Sequence, residues 1–432
     1  MSTPTVATKE FQELSTLAIL NIRELVTMDS KYGVPRVGSQ MNDLGIVHKA
    51  AVVIHKDTII FVGTMKEFDR EFSHRDFPII INGEHRLVTP GFVDPHTHII
   101  FDGTRENELQ MKLSGMSYLD ILNSGEGILK TVKATREASI SKLVENGHDI
   151  LDRMLEYGTT TIETKSGYGL TVEDEIKSLK TMKILDKEHP IEIIPTFLGA
   201  HAIPPEYAGR SDDYVDLIIS NMLPLIKEQN LAQFCDVFCE KGIFSVPQTR
   251  KILQAAQDFG LDIQIHIDEI VDTNGAQLAA DLNAVQTGHL LKSNDTGLRA
   301  MAEKQVVATL LPGTPFCMML REYAPARKMI EIGIPIALAT DLNPNCWTES
   351  MQMILALACY KMKMNPAEAL TASTINAAFA LRRHDDVGSI EVGKQADLVL
   401  FDVPNHNYLP YQFGVNHVLK VIKKGDIVVD FE

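Results

Sequence analysis

Chemistry is first offered by the stretch "VTPGFVDPHTHIIFDGTRENE", Val88 to Glu108, where His96 and His98 stand one residue apart behind an apolar run. Alternate residues of an extended segment point the same way, so two neutral imidazoles there could grip one metal ion from one side. An isolated H-x-H is equally a polar strand end, and its meaning depends on what else the chain supplies. Similar apolar runs end in or near His201, His266 with Glu269 just beyond, His289 and Asp341. His96, His98, His266 and Asp341 make a set of three imidazoles and one carboxylate. Zinc takes such donors and, in catalytic sites, keeps a position for water. Iron(II) or another divalent ion suits the same set. A bound ion of this kind brings the pKa of its water toward neutrality, which is the chemistry of hydrolysis. Lys165 ends the body of the second run, but no bridging lysine ends the fourth, so one metal is the simpler assignment.

These residues need elements to hold them on one rim. Eight short runs carry the pattern of strands buried on both faces: "LVTPGFVDPHTH", "TTTIETKSGYG", "IEIIPTFLGAH", "AQFCDVFCE", "LDIQIHIDE", "LNAVQTGHL", "QVVATLLPG" and "IPIALATDLNP". Stretches such as "SKLVENGHDILDRMLEYG" and "VPQTRKILQAAQDFG" lie between them, apolar at helical spacing and closed by Gly. Eightfold alternation predicts an α/β chain folded as a (β/α)8 TIM barrel over residues 91–383, with its chemistry at the carboxyl ends of the strands. Residues 17–90 and 384–432 are strand-like and turn-rich. They predict one smaller, discontinuous β-sandwich domain built from both chain ends, and residues 1–16 predict a disordered head.

Composition narrows the partners. A chain of 432 residues with 45% hydrophobic side chains reads as globular. Its net charge of −16 argues against nucleic acid or an anionic membrane surface, which both call for a basic footprint. An anionic substrate would need a local cation. No apolar run approaches a membrane span or a signal peptide, and five cysteines are too few for a disulfide scaffold, so a reducing cytoplasm is expected. Cys235 and Cys239 in "CDVFC" read as buried strand thiols.

The motifs "GFVDPHTH", "GTTTIETKSGYGL", "TFLGAHAIPPEY", "DVFCEKGIFS", "ALATDLNPN" and "GSIEVGKQADLVLFD" resemble the imidazolonepropionases of the amidohydrolase superfamily. The resemblance runs from about residue 17 to the C-terminus. H-x-H marks only the superfamily, whereas "KSGYGL", "TFLGAH" and Asp-Leu-Asn-Pro are far more specific. It implies hydrolysis of 4-imidazolone-5-propanoate to N-formimidoyl-L-glutamate in histidine degradation, one zinc or iron ion per chain, and a homodimer. It also implies that His96, His98, His266 and Asp341 are metal ligands. Arg105, Tyr118, Tyr168, His201, Glu269, Asn343, Asn345 and Cys346 would stand at substrate positions, with His289, Glu269 and Asp341 serving catalysis. Arg105 would be the cation for the propanoate, since guanidinium pairs carboxylate in a two-point fork. Its alternative is a salt bridge with Glu106 or Glu108.

The pattern departs from the family at Glu126, Gly288, Asn345 and Cys346; the last two bear on backbone contacts to substrate. Two competing readings stay open at this point. Another mononuclear amidohydrolase, such as a purine or pyrimidine deaminase, shares the His266, Glu269 and His289 set. A catalytically dead barrel serving as a scaffold would normally have lost ligands, and all four remain here.

Overall fold

The computed structural model describes residues 16–29, 31–116, 120 and 126–432, so Tyr118 and the first fifteen residues lie outside the described residues. The apolar runs of the middle region form β6 (Phe92–Thr97), β7 (Thr159–Lys165), β8 (Glu192–Ala200), β9 (Phe234–Cys239), β10 (Asp262–Ile267), β11 (Gln286–His289), β12 (Val307–Leu310) and β13 (Ile336–Leu338). They lie side by side in chain order, every neighbouring pair parallel. The sheet closes just past β13, where Asp341 N–H donates to His96 O at 3.0 Å and His98 N–H to Leu342 O at 2.8 Å. This is the expected barrel. Helices such as 140–156, 172–188, 246–258 and 295–304 return the chain between strands. Their starts are set by polar caps: Thr171 accepts from Asp174 N–H, and Ser245 and Gln248 cap one another's backbone. Cys235 and Cys239 are buried on β9.

Both chain ends contribute to a second sheet. Its strands are β1 (Thr16–Val26), β2 (Ile46–His55), β3 (Thr58–Thr64), β4 (Ile79–Asn82) and β5 (Leu87–Pro90) from the first part, then β14 (Leu398–Phe401), β15 (Val418–Lys423) and β16 (Asp426–Asp430). β5 pairs with β14, and that seam unites the two ends of the sequence. Leu17, Ile19, Val52 and Ile54 from one end pack with Leu398, Leu400 and Ile422 from the other in one core. Most pairs are antiparallel, but β1 runs parallel to β4 and β5.

One run divides where the sequence showed no break. "LVTPGFVDPHTH" supplies β5 to the mixed sheet and β6 to the barrel, with Gly91 between them. A Cβ at Gly91 would stand 2.2 Å from Thr160 Oγ1, so the crossing between sheets needs glycine's bare backbone.

A buried ion network ties the second sheet to the floor of the barrel. Lys423 Nζ donates to Glu192 Oε2 and Asp397 Oδ2, each at 2.7 Å, and Arg383 reaches Glu192 Oε1 at 3.0 Å. Burial would raise the Glu192 carboxyl, but Lys423, with help from Gln395 and Arg383, pulls it down to about 2. A carboxyl lowered on folding stabilises the fold above its unfolded pKa of about 4.3, and that contribution is lost as pH falls toward 2. Lys423→Met should destabilise the protein by about 3–5 kcal/mol at neutral pH, because buried Asp397 loses its ammonium and part-buried Glu192 is left with Arg383 and Gln395. The deficit should shrink as pH falls below about 4.3 toward the Glu192 value near 2. Denaturant titrations at several pH values check both.

Candidate active site

At the carboxyl ends of the barrel strands the rim residues converge. His96 Nε2 lies 3.0 Å from His266 Nε2, which lies 3.4 Å from His98 Nε2. Asp341 Oδ1 is 3.6 Å from His96 Nε2 and 3.4 Å from His98 Nε2. All four side chains are buried. A tetrahedral ion held at ~2.0–2.1 Å by nitrogen and oxygen donors separates those donors by about 3.3–3.4 Å, so the spacing fits a metal. Protonation suits it as well. Burial, the largest influence, brings His98 and His266 down to about 4 and His96 well below its ordinary value, leaving neutral imidazoles, the form that ligates. His289 stands beside the set. Its donor atoms, with those of His96 and His266, all fall within 4.8 Å of one another, and its Nε2 is 3.7 Å from Glu269 Oε2.

A layer inside the barrel orients these imidazoles. His266 Nδ1 lies 3.0 Å from Asp236 Oδ2, and Lys165 Nζ lies 3.1 Å from the same oxygen and 2.7 Å from Glu163 Oε1. Gln264 donates to Glu163 Oε1 at 2.7 Å, and Gln286 donates to Gln264 Oε1 at 2.6 Å. Carboxylates behind metal-binding histidines fix the ring and raise its basicity. Against burial, which would raise it, His266 and Lys165 hold the Asp236 carboxyl well below the usual range. Thr314 Oγ1 donates to Asp341 Oδ2.

The other predicted positions surround a cavity of about 90 Å³ lined by His98, Arg105, Tyr168, His201, His266, Glu269, His289, Asp341, Asn343 and Asn345, among others. A larger cleft of about 440 Å³ opens at the opposite end of β8–β10 and holds none of these histidines. His201 Nδ1 is 3.1 Å from Gly167 O; a carbonyl only accepts, so Nδ1 carries the proton and Nε2 is left as an acceptor. Burial lowers His201 to about 3, and its ring stacks on His98 at 5.1 Å. Glu269 is mostly buried, and burial raises its carboxyl against the pull of His289. Arg105 does pair with Glu108, through Nε at 2.6 Å and one Nη at 2.8 Å, but as a buried fork rather than a surface bridge. Asn343 folds the loop after β13: Nδ2 donates to Asp341 O, and Oδ1 accepts from the Asn345 and Cys346 amides. Cys346 is buried beneath that turn, Sγ 3.8 Å from Thr340 O, and does not line the cavity.

With this geometry in view, likeness to known proteins is informative. The description "Amidohydrolase family" matches residues 87–428. The imidazolonepropionase of Alkaliphilus oremlandii (strain OhILAs) is 51% identical over 413 residues, spanning 95% of this chain and 97% of that protein. The imidazolonepropionase of Parabacteroides distasonis is 46% identical, spanning 96% and 99%. The chain belongs to the imidazolonepropionase family of amidohydrolases. Among solved structures, atrazine chlorohydrolase from Arthrobacter aurescens TC1 complexed with zinc has a TM-score of 0.71 at 16% identity, covering 96% of this chain and 95% of that one. An adenosine deaminase from Xanthomonas campestris with bound zinc has a TM-score of 0.70 at 17% identity, covering 96% and 93%. At such identities the match speaks for the fold.

For this amidohydrolase, reading the rim alone overlooked Asp94, Glu163, Asp236, Gln264 and Glu175. A signal existed for several. Asp94 precedes His96 by two residues, Gln264 precedes His266 by two, and Glu163 precedes Lys165 by two, so each shares a strand face with a rim residue. Glu175 has no such signal. It is buried, and its carboxylate accepts from Gly167 N–H at 3.1 Å, Gly169 N–H at 2.9 Å and Leu170 N–H at 2.8 Å, gripping the loop that presents Tyr168. Gly167 has φ +107°, and a Cβ there would lie 2.8 Å from Leu198 O. Glu175→Gln replaces one acceptor oxygen with a donor facing amides. It should cost about 1–3 kcal/mol, with hydrogen exchange rising first at Gly167–Leu170. Unchanged exchange there would show that the loop is held by something else.

Proposed function

We propose that this enzyme hydrolyses the ring C–N amide bond of 4-imidazolone-5-propanoate to N-formimidoyl-L-glutamate, the third step of histidine degradation. One observation carries the reading: a metal-competent histidine cluster and a buried guanidinium line the same small cavity, in a chain 51% identical to an imidazolonepropionase. The deaminase reading shares the His266, Glu269 and His289 set, but the adenosine deaminase neighbour is 17% identical and speaks for fold alone.

His96, His98, His266 and Asp341 would hold the ion. When bound, a divalent metal supplies an activated water and polarises the carbonyl. The chain's own groups do the rest. His289, between the cluster and Glu269, donates to the carbonyl oxygen as charge builds there, the role of a preset donor aimed at a developing anion. Glu269 hands its proton to the departing ring nitrogen; burial raises its carboxyl, which favours the protonated form that a donor needs. Asp341 takes the proton of the attacking water, with its carboxylate held in place by Thr314 on Oδ2. His201 Nε2 accepts from a ring N–H, and Tyr168 closes the cavity beside it. Arg105 keeps N–H donors beyond the two given to Glu108, and these meet the propanoate. Asn343 and Asn345, which line the cavity, complete the substrate contacts, and Tyr118 would join them.

We further infer one ion per chain, zinc or iron; a homodimer; a cytoplasmic setting; and neither nucleic acid nor membrane as partner. Among the described residues no helix is long and apolar enough to cross a membrane. The chain would divide as a barrel domain over 91–383 and a β domain over 17–90 and 384–432.

Purified protein should consume freshly generated imidazolone propanoate, followed by loss of ring absorbance. Absence of turnover with metal present would overturn the reading. Elemental analysis should find about one metal equivalent, and His266→Ala should lose it. His289→Ala should keep the metal and its Tm while kcat falls by about 10²-fold or more. Metal lost in step with activity would instead make His289 a ligand. Arg105→Ala should lower kcat/KM at least about tenfold, since a charge-assisted contact contributes roughly 1.5–3 kcal/mol. Arg105→Lys should recover only part, because an ammonium lacks the planar fork.

A further inference from the structure

The cation assigned to the substrate tail is already paired. Glu108 takes Arg105 Nε on Oε1 at 2.6 Å and an Arg105 Nη on Oε2 at 2.8 Å, and Oε1 also accepts the Gly127 N–H at 2.8 Å. Both side chains are buried, so the guanidinium is rigidly aimed and its charge is cancelled at close range. A carboxylate entering the cavity meets a neutral pair in a protein of net charge −16. Orientation is provided; surplus positive charge is not.

Lys112 supplies it. It lies four residues after Glu108 on the helix Asn107–Leu113, where i and i+4 side chains are neighbours. Its ammonium donates to Asn345 Oδ1, and Asn345 lines the same cavity as Arg105. Lys112 is half-buried. Burial lowers its pKa while Glu108 sustains it, which sets Lys112 in the same charge cluster as the fork. Arg105, Glu108 and Lys112 thus sum to one positive charge, and the 107–113 helix is joined to the turn after β13 through the Asn345 side chain.

We propose that Lys112, acting with Asn345, is a specificity-determining residue that makes the cavity electropositive toward a substrate carrying a carboxylate tail. This rests on the reading of Arg105 as the propanoate contact. The test compares imidazolone propanoate with the same ring bearing a propanamide tail, in the wild type, Lys112→Met and Lys112→Arg, each loaded with metal. The ratio of kcat/KM for carboxylate over amide should fall at least fivefold in Lys112→Met, through KM rather than kcat. Lys112→Arg should restore most of it, and the salt dependence of KM should flatten in Lys112→Met alone. An unchanged ratio, or equal loss on both substrates, would overturn the inference. A wild type that prefers the amide tail, or ignores the ring altogether, would instead overturn the reading on which it rests.

Discussion

Asp94 Oδ1 accepts the Thr340 N–H at 3.1 Å, and Oδ2 accepts the Thr340 hydroxyl at 2.5 Å. This fully buried carboxylate sits on the first barrel strand and fastens it to the segment leaving the last. His96 stands two residues past Asp94 and Asp341 one past Thr340, and the Asp341 N–H continues the seam to His96 O. The metal-competent cluster exists only because that seam closes: His96 and His98 arrive from β6, Asp341 from beyond β13, and only ring closure makes those strands neighbours. Burial raises the Asp94 carboxyl to about 7 even though Thr340 pulls it down. The seam therefore spends desolvation to secure register at the place where register decides whether donors meet.

The rim turns are the second constraint. His289 has φ 73°, Leu290 62°, Asp268 52° and Asp341 52°, all in the left-handed region that favours glycine. Such conformations persist where surrounding bonds determine them, and they cluster at functional sites. Here the bonds are visible. Leu290 N–H donates to Ile267 O, Lys292 N–H donates to Asp268 O, and the Asp268 carboxylate collects Thr273 and Ser293. Together they splay His289 and Glu269 over the cavity from adjacent strands.

Much of this was legible in the sequence because barrel strands are buried on both faces. A run of β-branched residues that ends in His or Asp breaks its own pattern at the rim, so His96, His98, His201, His266, His289 and Asp341 stand out. Pairings made across the closed ring do not stand out. Nothing near Asp94 names Thr340, and nothing near Glu175 says that its carboxylate serves three amides of a preceding loop. Gly91 illustrates the limit: "LVTPGFVDPHTH" is continuous in hydropathy, yet the chain changes sheets there for a steric reason supplied by Thr160. Arg105 shows it again. Its pairing with Glu108 was foreseeable from spacing, but burial of the pair, which turns a surface bridge into an aiming device, depends on Gly127 and the cavity wall.

Charge explains why the two halves of the site look so unlike. Asp94, Glu163, Asp236 and Asp341 are buried in or beside the barrel mouth with Glu269 nearby, and Lys165 is the cation set among them. Of these, Asp236 and Asp341 are held ionised against burial and outweigh Lys165, so the interior, faced by neutral imidazoles, attracts a dication and repels a free carboxylate. The same field that favours a metal at the histidines would expel a propanoate brought near them. The tail must therefore lie away from the cluster, against groups of the opposite sign, while the ring alone reaches the metal side. Arg105 lines the cavity from the loop after β6, and Lys112 on the following helix reaches its wall through Asn345, where that division requires cations. Placing them outside the barrel, on the segment that leaves the His96–His98 strand, lets one stretch of chain set both the metal and the distance from it at which an anionic tail is tolerated.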